Sequence, residues 1–194
     1  MKRALAFILT GAIFSPFCFY SQVNGQSADK ISALFEKLSW RCVGPATMGG
    51  RTVDIDVVEK KPWIIYAAIG PSGVWKSENN GITWKPVFYK ESTVSVGDVT
   101  VSQSHPDIVW VGTGEATCRN SVSIGDGVYK STNSGETWTN MGLKDTFHIS
   151  RIIINPGDPN IVYVAAMGHL WGPNQERGIY KTVDGGKIWR KVLY

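Results

Sequence analysis

A large excess of charge of one sign is missing from this sequence. Its 194 residues carry 20 Lys and Arg against 16 Asp and Glu, a formal net charge of +4. Two of those cations, Lys2 and Arg3, lie in a segment expected to be removed, which leaves 18 against 16, or +2. The rest are scattered among acidic residues. No basic stripe forms, and nucleic acid is excluded as a partner. Cysteine is scarce, with three residues. Cys42 and Cys118 remain after the N-terminal segment, too far apart for a disulfide framework, although export would permit a bridge. Histidine also numbers three. His148 and His169 lack an acidic or Cys partner at ligand spacing, so neither a metal site nor a cofactor is expected. The apolar run from Ala4 to Tyr20 is short for a membrane span and contains Pro16. With Lys2-Arg3 before it and Val23 and Gly25 after it, residues 1–25 read as a secretory signal cleaved before Gln26. The mature chain is then expected to be secreted, periplasmic or at the cell surface, with no stable membrane span.

Aromatic anchors and turn residues are abundant: 8 Trp and 21 Gly. That pairing suits short-stranded all-β architecture. Three segments align without gaps, beginning at Gly73-Val-Trp-Lys-Ser, Gly127-Val-Tyr-Lys-Ser and Gly178-Ile-Tyr-Lys-Thr. They recur every ~50 residues, a propeller-blade period. Apolar runs precede each one, at Ile64 to Ile69, Ile108 to Thr113 and Ile161 to Ala166. A further run lies upstream at Val53 to Val58, Val99 to Ser102 and Arg151 to Asn155. Each repeat therefore predicts four short strands, A to D, with D starting at Trp84, Trp138 and Trp189. Tandem four-stranded antiparallel units are blades of a β-propeller.

The pattern Ser/Thr-x-Asp/Asn-x-Gly-x-x-Trp ends each repeat. It comprises Ser77, Asn79, Gly81 and Trp84, then Ser131, Asn133, Gly135 and Trp138, then Thr182, Asp184, Gly186 and Trp189. The Asn or Asp side chain can accept backbone N–H bonds and staple the C–D turn. The glycine can take a positive φ, and Trp buries a large ring against the sheet. These residues are expected to be structural.

Three blades are predicted, at 51–89, 97–142 and 150–194. Residues 26–38 form a linker in which Ile31, Leu34, Phe35 and Leu38 predict a short amphipathic helix. Ser39 to Gly44 has the pattern of a D strand without a blade of its own. Three blades fall below the usual four to eight, so further C-terminal blades are expected.

These turns resemble the sialidase-type Asp-box, or BNR, repeats. The likeness is greatest to large exported propellers described as glycosyl-hydrolase-like or sortilin-like. It runs from Trp40 to Tyr194, and its most specific pieces include Gly49-Gly-Arg51, Val111-Gly-Thr-Gly-Glu115, His148-Ile-Ser-Arg151 and Leu170-Trp-Gly-Pro173. The resemblance implies a multi-bladed propeller within a longer exported protein. It leaves the chemistry open. Xyloglucanase-like relatives carry a catalytic Asp in an early B–C loop, where this chain has Gly70. Sortilin-like relatives bind peptides and catalyse nothing.

Ligands of propellers generally approach the face formed by the D–A and B–C loops. The candidates there are Arg51, Glu115, Arg119, His148, Arg151, Trp171 and Arg177. A peptide, protein or glycan bound through these loops is the first expectation. The alternative is a glycoside hydrolase fragment in which Glu115 or Asp126 is the catalytic acid. An assembly factor holding another protein is a third.

Overall fold

The computed structural model describes residues 51–194 apart from position 120. The expected signal segment, amphipathic helix and orphan strand lie outside the described residues.

Among the described residues, twelve strands make three sheets. The first holds β1 (Thr52–Val57), β2 (Ile65–Ile69), β3 (Gly73–Ser77) and β4 (Lys85–Phe88). The second holds β5 (Val96–Val101), β6 (Val109–Thr113), β7 (Val128–Ser131) and β8 (Thr139–Asn140). The third holds β9 (Ile149–Ile154), β10 (Val162–Ala166), β11 (Gly178–Thr182) and β12 (Arg190–Leu193). Strands follow in chain order within every sheet, and all pairings are antiparallel. The described chain is thus all-β, a partial propeller of three four-stranded sheets.

The sheets stack because neither face of a central sheet can stay wet. The first sheet's Tyr66, Ala68, Val74 and Phe88 meet Val99, Val101, Val109, Val111 and Tyr129 of the second in one buried cluster. From the opposite face of the second sheet, Trp110 and Val128 meet Ile152, Ile154, Val162 and Val164 of the third. Each fully buried Val or Ile contributes about 1.5–3 kcal/mol.

The innermost strands start earlier than the apolar pattern predicts. β5 begins at Val96 rather than Val99, and β9 at Ile149 rather than Arg151. Each first strand is irregular near its start, between Thr52 and Asp54, between Val96 and Asp98, and opposite Ala165 and Ala166. A bulge re-aims the following side chain, and here it brings Asp54, Asp98 and Arg151 to one level of the inner wall. Asp98 breaks the hydrophobic run although it is 1% exposed, because its Oδ2 accepts the Ile152 N–H at 2.8 Å. Asp56 Oδ2 accepts the Val101 N–H at 2.7 Å in the same way.

The two ends of the strands differ. At one end each C–D turn meets the A–B loop: the amides of Asn80, Ser134 and Gly185 donate to Trp63, Asp107 and Asn160 carbonyls. At the other end the B–C and D–A loops interlock, with Gly114 N–H on Ser95 O, Gly125 N–H on Phe147 O and Met167 N–H on His148 O.

Candidate functional site

The turns come first, because they fix the sheets that carry the loops. The Ser77 hydroxyl donates to Asn79 Oδ1 at 3.1 Å and accepts the Gly81 N–H at 2.8 Å. Asn79 Oδ1 also accepts the Thr83 N–H at 2.8 Å. Ser131 and Asn133 repeat this set with Gly135 and Thr137. Thr182 and Asp184 repeat it with Gly186, Lys187 and Ile188. The Thr182 hydroxyl, then the Ile188 amide, hold the Asp184 carboxyl below its ordinary range. Gly81, Gly135 and Gly186 all have positive φ, as the turn requires. The indoles then bridge sheets: Trp138 Nε1 donates to Val87 O and Trp189 Nε1 to Met141 O, both at 2.8 Å. Trp84 Nε1 instead donates to Gly81 O, within its own turn, at 2.9 Å.

At the loop end, Glu115 sits just after β6 and is 1% exposed. Arg51 Nη2 donates to its Oε1 at 2.5 Å, and Arg119 Nη2 to its Oε2 at 3.4 Å. Both carboxylate oxygens are therefore held by guanidinium groups. Gly70 makes room for this arrangement: a Cβ there would lie 2.4 Å from Glu115 Oε1. An aspartate at position 70 would collide with Glu115.

Asp126, the other candidate acid, is engaged elsewhere. Tyr129 OH donates to its Oδ2 at 2.7 Å, and the Ser92 hydroxyl donates to the same oxygen. Its own amide donates to Thr113 Oγ1 at 2.8 Å. The carboxylate thereby pins the loop after β4 to the long loop between β6 and β7. Burial, foremost, raises the Tyr129 hydroxyl above its ordinary pKa.

Arg151 lies in the inner wall, apart from these loops. Its Nη1 donates to Asp54 Oδ1 at 3.1 Å and Asp98 Oδ1 at 3.3 Å, so one side chain of the third sheet spans the first two. Burial pushes the Asp98 carboxyl up to about 8, and nearby Asp54 adds to this against the opposing Ile152 amide and Arg151.

A cavity of about 410 Å³ opens between the second and third B–C loops, lined by Arg119, Ser121, Ile124, His148, His169 and Trp171 among others. Trp171 is 73% exposed and His148 only 3%. Burial lowers the His148 pKa, which favours the neutral ring, and its Nδ1 has no hydrogen-bond partner among the described residues. The His169 ring lies against Phe147 with centroids 4.3 Å apart. Arg177 does not line the cavity. Its Nε and Nη2 donate to Met167 O and His169 O, each at 3.0 Å, and brace the loop that carries Trp171.

Of the expected residues, Arg51, Glu115 and Arg119 meet in one cluster, and Arg119, His148 and Trp171 share one cavity. Arg151 and Asp126 join neither. Sequence reasoning missed Ser92 and Tyr129 as partners of Asp126. It also missed Asp54 and Asp98, whose signal was a carboxylate at the same place in two first strands.

Fold and loops together define a partial β-propeller, an arc of four-stranded blades. No family model matches the chain. It is 24% identical over 171 residues to a xyloglucanase from a Paenibacillus species, covering 81% of this chain and 16% of that protein. Among solved structures, an ancestral GH74 enzyme matches 81% of this chain and 20% of its own, with a TM-score of 0.63 and 23% identity. YCF48 bound to D1 peptide matches 79% of this chain and 45% of its own, with a TM-score of 0.53 and 15% identity. The chain thus spans about a fifth or less of the length of the xyloglucanase and of the GH74 enzyme.

Proposed function

We propose that this arc is an exported binding module that takes a peptide or glycan chain in the cavity between its second and third B–C loops, and that it is not a catalyst. The observation that carries this is the division of labour at the loop end. The cavity offers an exposed indole, two imidazoles and a guanidinium, which suit stacking and hydrogen bonding to an extended ligand. The two candidate acids, Glu115 and Asp126, are held by internal partners. The decisive experiment titrates the protein with xyloglucan oligosaccharides and with a peptide library while following tryptophan fluorescence. Saturable quenching that Trp171→Ala abolishes supports the proposal; no response to either class overturns it.

A second function is favoured by the likeness to a xyloglucanase: hydrolysis, with Glu115 as the acid. Its proton would have to reach substrate from between Arg51 and Arg119. Release of reducing ends from xyloglucan that Glu115→Gln abolishes would establish it over binding alone. Export is tested by fractionating cells that express the full chain and sequencing the mature N-terminus, expected at Gln26.

A further inference from the structure

We propose that the cavity between the second and third B–C loops selects a peptide segment bearing a carboxylate beside an apolar side chain. Arg119 leaves Glu115 to bind that carboxylate, while Arg51 keeps Glu115 neutralised. Resting on the binding function proposed above, this selectivity follows from an unequal hold on Glu115. Arg51 Nη2 stands 2.5 Å from Glu115 Oε1, whereas Arg119 Nη2 stands 3.4 Å from Oε2. The Glu115 side chain is 2% exposed and the Arg119 side chain 43%. A buried carboxylate stripped of every cation is strongly destabilising, so a sole partner could not depart. With Arg51 in place, the second guanidinium can turn outward at little cost.

Arg119 also has donors to offer. Among the described residues its bond to Glu115 is its only hydrogen bond, which leaves most of its N–H groups open. Two guanidinium groups share one carboxylate here, so the cluster holds one positive charge in excess. Among the described residues no carboxylate lines the cavity, and nothing on that wall offsets the charge. A guanidinium matches a carboxylate in geometry as well as in sign. Beside Arg119 the wall carries Val122, Ile124 and Leu170 as well as Trp171, and Ile124 is 59% exposed. An apolar wall next to an unmatched cation suits a peptide with neighbouring acidic and apolar groups. A neutral sugar presents hydroxyls that donate as well as accept, and it gains less from such a wall.

The test titrates the full chain with acetylated hexapeptides of leucine and glycine while following tryptophan fluorescence. The peptides are compared as the free C-terminal acid, as the C-terminal amide, and as the amide with one internal glutamate or glutamine. The free acid, the glutamate form or both are expected to bind about tenfold tighter than their neutral counterparts. Whichever does so identifies the source of the carboxylate. Arg119→Gln should bring that ratio close to one. Arg51→Gln should remove most of it with Arg119 still present, because Arg119 must then stay with Glu115, and Arg51→Lys should keep it. Equal weakening of acid and amide in Arg51→Gln would mark Arg51 as merely structural and overturn the exchange. Should Arg51→Gln fail to fold, Arg119→Gln and Arg51→Lys still decide. Neutral peptides that bind as tightly as the acids overturn the proposal and leave the binding function standing. A preference that survives Arg119→Gln also overturns it. An oligogalacturonide that quenches where every peptide fails gives the carboxylate to a glycan and overturns the peptide. Silence from all these probes and from xyloglucan oligosaccharides removes the binding function itself.

Discussion

The turn end and the loop end of this arc are built from the same twelve strands and obey opposite rules. At the turn end, three segments repeat one hydrogen-bond set with closely related residue types, and the indoles of Trp138 and Trp189 tie the second and third sheets each to the one before. At the loop end no two B–C loops share a length or a contact set. Repetition marks positions that stack sheets, whereas divergence marks positions free to acquire chemistry. Substitutions at the two ends should therefore separate stability from binding.

The largest effect is expected at an indole of the turn end. Trp138 stands edge-on to Phe88 with centroids 5.3 Å apart, besides its bond to Val87 O. Trp138→Ala should destabilise by about 3–5 kcal/mol in urea unfolding. Next is Ser131, 1% exposed, whose hydroxyl serves three partners. Ser131→Ala should cost about 1–2 kcal/mol, leaving the Gly135 amide unpaired.

Acidity sharpens the comparison within the inner wall. The Asp98 pKa lies above its unfolded value, so the folded chain binds the extra proton between pH 3.8 and about 8. Its contribution to stability therefore grows as pH falls from about 8 and is complete below 3.8. Asp98→Asn should remove this component from a melting-temperature series over that range. His148 acts in the reverse sense: with its folded pKa below 6.5, it lowers stability as pH falls below 6.5. His148→Gln should flatten that limb.

The smallest stability change belongs to the loop end. Trp171→Ala should alter the unfolding free energy by less than about 0.5 kcal/mol, while weakening ligand about tenfold in titration. Loss of stability there would erase the distinction between the ends.

The turn end was legible because its information is local. Ser77, Asn79 and Gly81 satisfy one another within five residues, and three copies in register exposed the period. The second strands, such as β6, were legible as unbroken apolar runs. β5 was misjudged at its start because Gly97 and Asp98 interrupt its run, and the buried carboxyl group there is held by the third sheet's Ile152 amide and Arg151 together with the Thr100 hydroxyl. The loop end was half legible. Glu115 and Arg119 are four residues apart and pointed to one site, yet Arg51, which completes it, lies 64 residues upstream. Asp126 had the chemistry of an acid, but Ser92, 34 residues upstream, reaches it through a fold of the chain that no spacing reveals, and Tyr129, three residues on, holds the same oxygen.

Positions 70 and 115 are bound in one account of space. Gly70→Asp alone should displace the Glu115 carboxylate from Arg51, and Glu115→Gly alone should open a void beside Arg51. Together the two changes should be tolerated better than either, moving the acid from one repeat to its neighbour. Such compensation would show that residues from two neighbouring sheets are read together as one site.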